Sequence, residues 1–165
     1  MVSYSLKIKI RTSGENITSL QRNLIKDLVR RKLVGVETIS DFENEIVLQT
    51  LVSYPELSIE NAMRRMCLIT ASMHKDALQA LKESGKTLAR DAIALDDEVD
   101  RFSLYVIRQL KMAVQNERML REIRLSNPKD CLGYRIIVKF VERIAENVMI
   151  VGGSIDKLIL KEYLK

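Results

Sequence analysis

Residues 134–158 read YRIIVKFVERIAENVMIVGGSIDKL, and their pattern sets the architecture of the chain. Apolar side chains recur there at steps of three and four, as on one face of a long amphipathic helix. This face comprises Tyr134, Ile137, Val141, Ile144, Val148, Val151, Ile155 and Leu158, with Gly152-Gly153 as its one soft point. Because an apolar face of that length is stable only when it is covered, the sequence predicts partner helices beside it.

Two stretches upstream have the same spacing and supply those partners. The first begins after the N-cap Ser58, ends at Ser84-Gly85, and carries Ile59, Met63, Met66, Thr70, Met73, Ala77 and Leu81. The second runs from near Thr87 to Asn116 and carries Leu88, Ala92, Leu95, Val99, Phe102, Val106 and Ala113. Asn127-Pro128 then restarts the chain with an N-cap and a proline at the first helical position. We expect three helices of roughly 25 to 35 residues in an antiparallel, up-down-up bundle.

The first fifty or so residues have a different pattern. Alternation from Tyr4 to Ile10 predicts a strand, and Ile17, Leu20, Leu24 and Leu28 predict a short helix that ends at Gly35. The runs Val36–Phe42 and Ile46–Val52 predict a hairpin. With Tyr54-Pro55 as the boundary, the fold class is α+β and mainly α: a small β-α-β-β domain at 1–54 and a three-helix bundle at 55–165.

Composition narrows the classes of function. The chain has 165 residues, 47% hydrophobic and 30% charged, with a formal net charge of +5, which is a globular composition. Its basic residues are spread out except for one cluster, Arg22, Lys26, Arg30, Arg31 and Lys32. Cys67 and Cys131 have no metal-ligand or redox spacing, and no export signal or membrane span is evident, so a cytoplasmic protein is predicted.

Residues suited to catalysis are scarce. His74 is the single histidine, and no hydrolase motif surrounds it. Gly152-Gly153 lacks the residues of a phosphate-binding loop. We therefore predict a protein that is not an enzyme.

Two pairs of carboxylates stand out. Asp96 and Asp100 are four residues apart in a stripe that is otherwise apolar, and Glu142 and Glu146 repeat the spacing on the third helix. Facing pairs of this kind could bind a metal ion, which would relieve the repulsion between the carboxylates. The alternative is that they are rim residues that form ion pairs with Arg90, Arg101 or Arg143.

The segment from Leu88 to Phe102, LARDAIALDDEVDRF, followed by VIRQL at 106–110, closely resembles the PhoU family of phosphate-uptake regulators, and its archaeal members especially. CLGYR at 131–135, VERIAEN at 141–147 and MHKDA at 73–77 are also similar to that family. The resemblance covers residues from about Leu57 to Ile159.

The resemblance implies a metal site. In the family, paired acidic motifs bind clusters of iron, zinc or similar ions on the bundle surface, and the matching residues here are Asp96, Asp100, Glu142 and Glu146. The second motif departs from the family at Glu146, where Asp is usual, and at Asn147, where His is usual. Family members commonly have two such repeats and this chain has room for one, so we expect either a homodimer, in which a second copy supplies the other repeat, or a fragment of a longer two-repeat protein.

The resemblance also implies a function. It is that of a protein-interaction adaptor that lowers phosphate uptake or its signalling by contacting a transporter ATPase or a sensor or regulatory protein. An alternative is a DNA-associated transcriptional regulator that dimerises through its bundle and contacts phosphates with the basic cluster. Metal storage or redox catalysis is a third possibility, but the Glu-x-x-His pairs typical of di-iron bundles do not occur.

Overall fold

The computed structural model describes residues 7–51, 57–83 and 85–163, which form two compact units, Met1–Ser58 and Ile59–Lys165. The boundary expected at Tyr54-Pro55 lies outside the described residues. In the described part the elements are β1 (Lys7–Arg11), α1 (Ser19–Lys32), β2 (Val36–Asp41), β3 (Glu45–Thr50), α2 (Ile59–Glu83), α3 (Lys86–Ala94), α4 (Asp96–Gln115), α5 (Glu117–Glu122) and α6 (Asp130–Tyr163).

The first unit is a three-stranded antiparallel sheet with one helix. Strand β3 lies between β1 and β2, and its register pairs Lys7 with Gln49 and Val36 with Thr50. The core of the unit contains Ile17, Val29, Val36, Ile46 and Leu48. The predicted order of one strand, one helix and a hairpin is confirmed, although Tyr4–Leu6 of the expected first strand lie outside the described residues.

The face of α1 that was expected to be buried is exposed. Leu20, Leu24 and Leu28 are 81%, 65% and 52% exposed, whereas Ile25, Val29 and Leu33 pack toward the sheet. A short helix with two neighbouring apolar rows does not reveal from its spacing which row is buried. Here Arg22 and Lys26 both pair with Asp41 at the end of β2, and these contacts hold α1 in the observed rotation.

The second unit is a helical bundle, as predicted. Helices α2, α4 and α6 each pack against the other two, and α3 packs on α2 and α6. Its most deeply buried large side chains are Met66, Met73, Val99, Tyr105, Val106 and Val138. Of the first predicted stripe, Ile59, Met66, Met73 and Ala77 are buried, while Leu81 at its end is 57% exposed.

The predicted second helix has one irregularity, at Leu95, which divides it into α3 and α4. Leu95 keeps helical angles, and the N–H groups of Glu98 and Val99 both donate to its carbonyl oxygen. The three acids that follow, Asp96, Asp97 and Glu98, form the first turn of α4, where negative charge is favourable at a helix N-terminus. The charged segment after Asn116 is also helical, because the Asn116 side chain accepts hydrogen bonds from two N–H groups of α5.

The buried face of α6 matches the predicted one only in part, since Val148 belongs to both. Cys131, Val138, Ala145 and Val148 are buried, whereas Ile137, Ile144 and Val151 are 44–50% exposed. The side chains of Ile155 and Leu158 lie outside the described residues. Because α6 is apolar on most of its circumference, the row with the smaller side chains was free to take the inner position, where it lets the neighbouring helices approach closely.

Gly152 marks the closest of these approaches. A Cβ atom at Gly152 would lie 3.2 Å from Cγ1 of Ile93 and 3.4 Å from the carbonyl oxygen of Ala89, both on α3. A Cβ atom at Gly153 would meet nothing within 4 Å. Gly152 therefore lets the backbones of α3 and α6 pack closely. Of the two glycines, Gly152 is a close packing position and Gly153 is an open one, so Gly152-Gly153 is not simply a soft point in the helix.

Candidate functional site

The contact between α4 and α6 centres on Ser103 and Glu142. Ser103 is buried, with 1% of its surface exposed, and its Oγ donates a 2.7 Å hydrogen bond to Oε2 of Glu142, whose side chain is 14% exposed. The ammonium group of Lys139 bonds to the other carboxylate oxygen of Glu142. That hydrogen bond raises the pKa of Lys139 above its usual value. Glu142 is thus held against α4 by a hydroxyl on one side and a cation on the other.

Asp96 and Asp100 lie one turn apart at the start of α4, and both are partly buried. Since Ser103 contacts Glu142 while Ala89 and Ile93 face Gly152, the chain from α3 through α4 runs antiparallel to α6. Asp100 lies about one turn before Ser103 on α4, and Glu146 lies about one turn after Glu142 on α6. Because the helices are antiparallel, both residues are displaced in the same direction from the contact between Ser103 and Glu142. The contact with Ser103 places Glu142 at the boundary between α4 and α6.

These side chains do not form a metal centre as they are placed. Among the described residues, no group of three or more His, Cys, Asp or Glu side chains lies close enough to hold a metal ion. Glu142 already has both carboxylate oxygens engaged, by Ser103 and Lys139. The residues present therefore do not fit a bound metal without rearrangement. Among the described residues, Glu142 forms its ion pair with Lys139.

The basic cluster of α1 is largely engaged by carboxylates. Arg22 and Lys26 pair with Asp41, and Arg31 lies 3.9 Å from Asp27. A cluster that must reach nucleic-acid phosphates needs its charges exposed and uncompensated. The basic cluster of α1 therefore has less uncompensated positive charge available for nucleic-acid phosphates than the sequence indicated.

One feature of the α4 and α6 boundary was missed in the sequence. A cavity of about 300 Å³ lies there, lined by Ile107, Leu110, Lys111, Val114, Gln115, Pro128, Cys131, Leu132 and Arg135. Burial raises the pKa of the Cys131 thiol, so this cysteine is a packing residue, whereas Cys67 is exposed. No spacing rule identifies a cavity of this kind, because it depends on how side chains of two helices meet.

The architecture defines a class of protein: a small unit with a three-stranded sheet followed in the chain by a helical bundle. Residues 63–152, more than half of the chain, match the family described as PhoU domain, and the chain belongs to the PhoU family. The resemblance noted in the sequence is confirmed. A phosphate-uptake regulatory role follows from this membership, since proteins of this family are regulators rather than enzymes.

Comparisons with curated proteins and with solved structures found no match. Within the described ranges, no helix is both long enough and apolar enough to cross a membrane.

Proposed function

We propose that this protein is a cytoplasmic adaptor that lowers phosphate uptake or phosphate signalling by binding a transporter ATPase or a sensor or regulatory protein. The observation that carries the proposal is the PhoU domain match, which spans most of the bundle. The scarcity of catalytic groups supports binding as the activity: the single histidine, His74, lies exposed on α2. We also propose that the protein acts as a homodimer, with the second copy supplying a second three-helix repeat.

Phosphate uptake in living cells tests the proposal. Cells that lack the chain are compared with cells that carry it, and the uptake of radiolabelled phosphate is measured in phosphate-rich medium. We expect faster uptake without the chain and restoration by the intact protein. Affinity purification from cells grown with high and low phosphate should recover a transporter ATPase or a sensor. Unchanged uptake together with no such partner would reject the proposal.

Metal binding is proposed as an accessory property of the same bundle. The proposed ligands are Asp96 and Asp100 on α4 with Glu142 and Glu146 on α6, because carboxylate oxygens suit iron or zinc. Binding would require Glu142 to give up its hydrogen bonds to Ser103 and Lys139. We also propose that the chain is an archaeal-type member of the family, since residues 88–102 and 73–77 resemble archaeal members.

Metal content measured by mass spectrometry of elements tests this accessory property. The intact protein, purified without chelator, is compared with an Asp96→Asn, Asp100→Asn variant. We expect iron or zinc in the intact protein and loss of that metal in the variant. The matched control is Asp76→Asn on α2, which should retain the metal. Equal, near-zero metal in all three would exclude the metal site and leave the adaptor proposal intact.

A further inference from the structure

We infer that the outer face of α6, together with the cavity beside it, is the docking surface for an acidic amphipathic helix of the partner protein. This inference deepens the proposed function and rests on it. The surface combines two ridges on one helix with a cavity, and each part is exposed in the described chain.

The first ridge is apolar. Four side chains at steps of four lie along the outer face of α6, each between 44% and 64% exposed: Leu132, Ile136, Phe140 and Ile144. Steps of four keep them on one side of the helix over about 18 Å, the length of some three turns. Large apolar side chains scattered singly on a surface are ordinary, but a continuous row of four marks an interaction site. A partner helix with its own apolar row could pack along it.

The second ridge is basic and runs directly beside the first. It consists of three exposed residues, each one position ahead of an apolar ridge residue: Arg135, Lys139 and Arg143. Lys139 is bonded to Glu142, but in the described part of the chain neither arginine is paired with a carboxylate. Two unpaired guanidinium groups beside an apolar row attract a partner whose carboxylates flank its own apolar row.

The cavity extends the surface toward α4. Leu132 and Arg135 belong both to the ridges and to the cavity wall, and Lys111 adds a third cation that has no carboxylate partner among the described residues. A volume of about 300 Å³ admits one large apolar side chain with room to spare. A single bulky anchor in such a cavity, ringed by polar contacts, is the usual arrangement of an energetically dominant contact.

The positive charge of the basic ridge decides between a second copy of the chain and an acidic partner helix as the molecule that binds this surface. In a pair of α6 helices from two copies, the basic ridges would lie along the same interface, and like charges there oppose association. Glu142 is turned inward toward Ser103 and pairs with Lys139, so it does not compensate Arg135 and Arg143. An acidic partner helix meets no such repulsion, so it is the occupant that the surface favours over a second copy.

Two synthetic peptides test the inference by fluorescence anisotropy with the full chain. Both are labelled helices of about 18 residues with leucines at helical spacing, one flanked by glutamates and the other by lysines. We expect the acidic peptide to bind at least about tenfold more tightly than the basic one. Arg135→Glu with Arg143→Glu should weaken the acidic peptide by about tenfold and strengthen the basic one. Ile136→Ser with Phe140→Ser should weaken the acidic peptide by more than about tenfold.

Matched controls lie on α2, away from the surface. Lys75→Glu with Lys82→Glu makes the same change in net charge at two exposed positions, and Leu78→Ser removes an apolar side chain that is 59% exposed. Both should leave the affinity within about twofold. Equal binding of the two peptides to the intact protein would overturn the inference, as would equal losses in the controls.

Sedimentation distinguishes the competing occupant, and phosphate uptake separates this inference from the proposed function. A dimer that dissociates on Ile136→Ser with Phe140→Ser, without binding of the acidic peptide, would assign the face to a second copy and overturn the inference. If the peptide binds as expected but cells lacking the chain take up phosphate normally, the docking surface stands and the proposed function fails. If phosphate uptake depends on the chain but is unaffected by Arg135→Glu with Arg143→Glu, the docking surface is rejected and the proposed function stands.

Discussion

Gly152→Leu should destabilise the bundle, because the position has no space for a side chain. The added Cβ atom would lie 3.2 Å from Cγ1 of Ile93 and 3.4 Å from the carbonyl oxygen of Ala89. Overpacking of this kind costs about 1–3 kcal/mol. Leucine also favours a helix over glycine by about 0.8 kcal/mol, which offsets part of the cost. We expect a net loss of about 0.2–2 kcal/mol in the free energy of unfolding.

Gly153→Leu is the matched control in the same turn of α6. A Cβ atom there meets nothing within 4 Å, so only the gain in helix propensity remains, and stability should rise by about 0.5–0.8 kcal/mol. Urea unfolding followed by far-ultraviolet circular dichroism measures both variants. Ile93→Ala in the Gly152→Leu background should recover about 1 kcal/mol relative to the two separate changes. Equal shifts for the two glycine variants would refute the close packing of α3 against α6.

Two further predictions concern single side chains. Ser103→Ala should lower the free energy of unfolding by about 1–2 kcal/mol, since Glu142 loses a buried hydrogen-bond donor. The control Ser72→Ala, on the exposed side of α2, should change it by less than about 0.5 kcal/mol in the same urea experiment. Similar losses in the two variants would contradict a stabilising hydrogen bond between Ser103 and Glu142. Iodoacetamide should alkylate Cys67 about tenfold or more faster than Cys131 when peptides are followed by mass spectrometry, because Cys131 is buried. The raised pKa of Cys131 means that the folded state keeps its proton, so stability should fall as pH rises past the ordinary thiol value of 9.0, and Cys131→Ala should remove this part of the pH dependence.

Much of the fold followed from periodicity alone. The strand alternation and the helical spacing predicted the strands and the long helices in their correct order, because each pattern reports a local backbone geometry, whereas α5 was not predicted. Asn127 lies in the turn before α6, where its side-chain oxygen accepts a hydrogen bond from the N–H of Lys129, although α6 begins at Asp130, two residues later than expected. These signals lie within a few residues of one another, so they can be read without knowledge of the packing.

The rotation of each helix was harder to predict. Leu24 on α1 and Ile144 on α6 belong to apolar rows that lie beside the rows actually buried. The choice between such rows depends on contacts that are distant in sequence, such as Asp41 with Lys26 on α1 or Gly152 with Ile93 on α6. The candidate site also depends on contacts between residues that are distant in sequence. The spacing of the acids identified Glu142, but it did not identify Ser103 as the hydrogen-bond partner of Glu142.

The division at Leu95 has a consequence for the acids that follow it. Asp96, Asp97 and Glu98 occupy the first turn of α4, where the unpaired N–H groups of a helix start carry partial positive charge. Carboxylates there stabilise the new helix by themselves. Acids at this junction therefore stabilise the start of α4 whether or not a metal ion binds there. A substitution of Asp96 should weaken the junction between α3 and α4 even in the absence of any ligand.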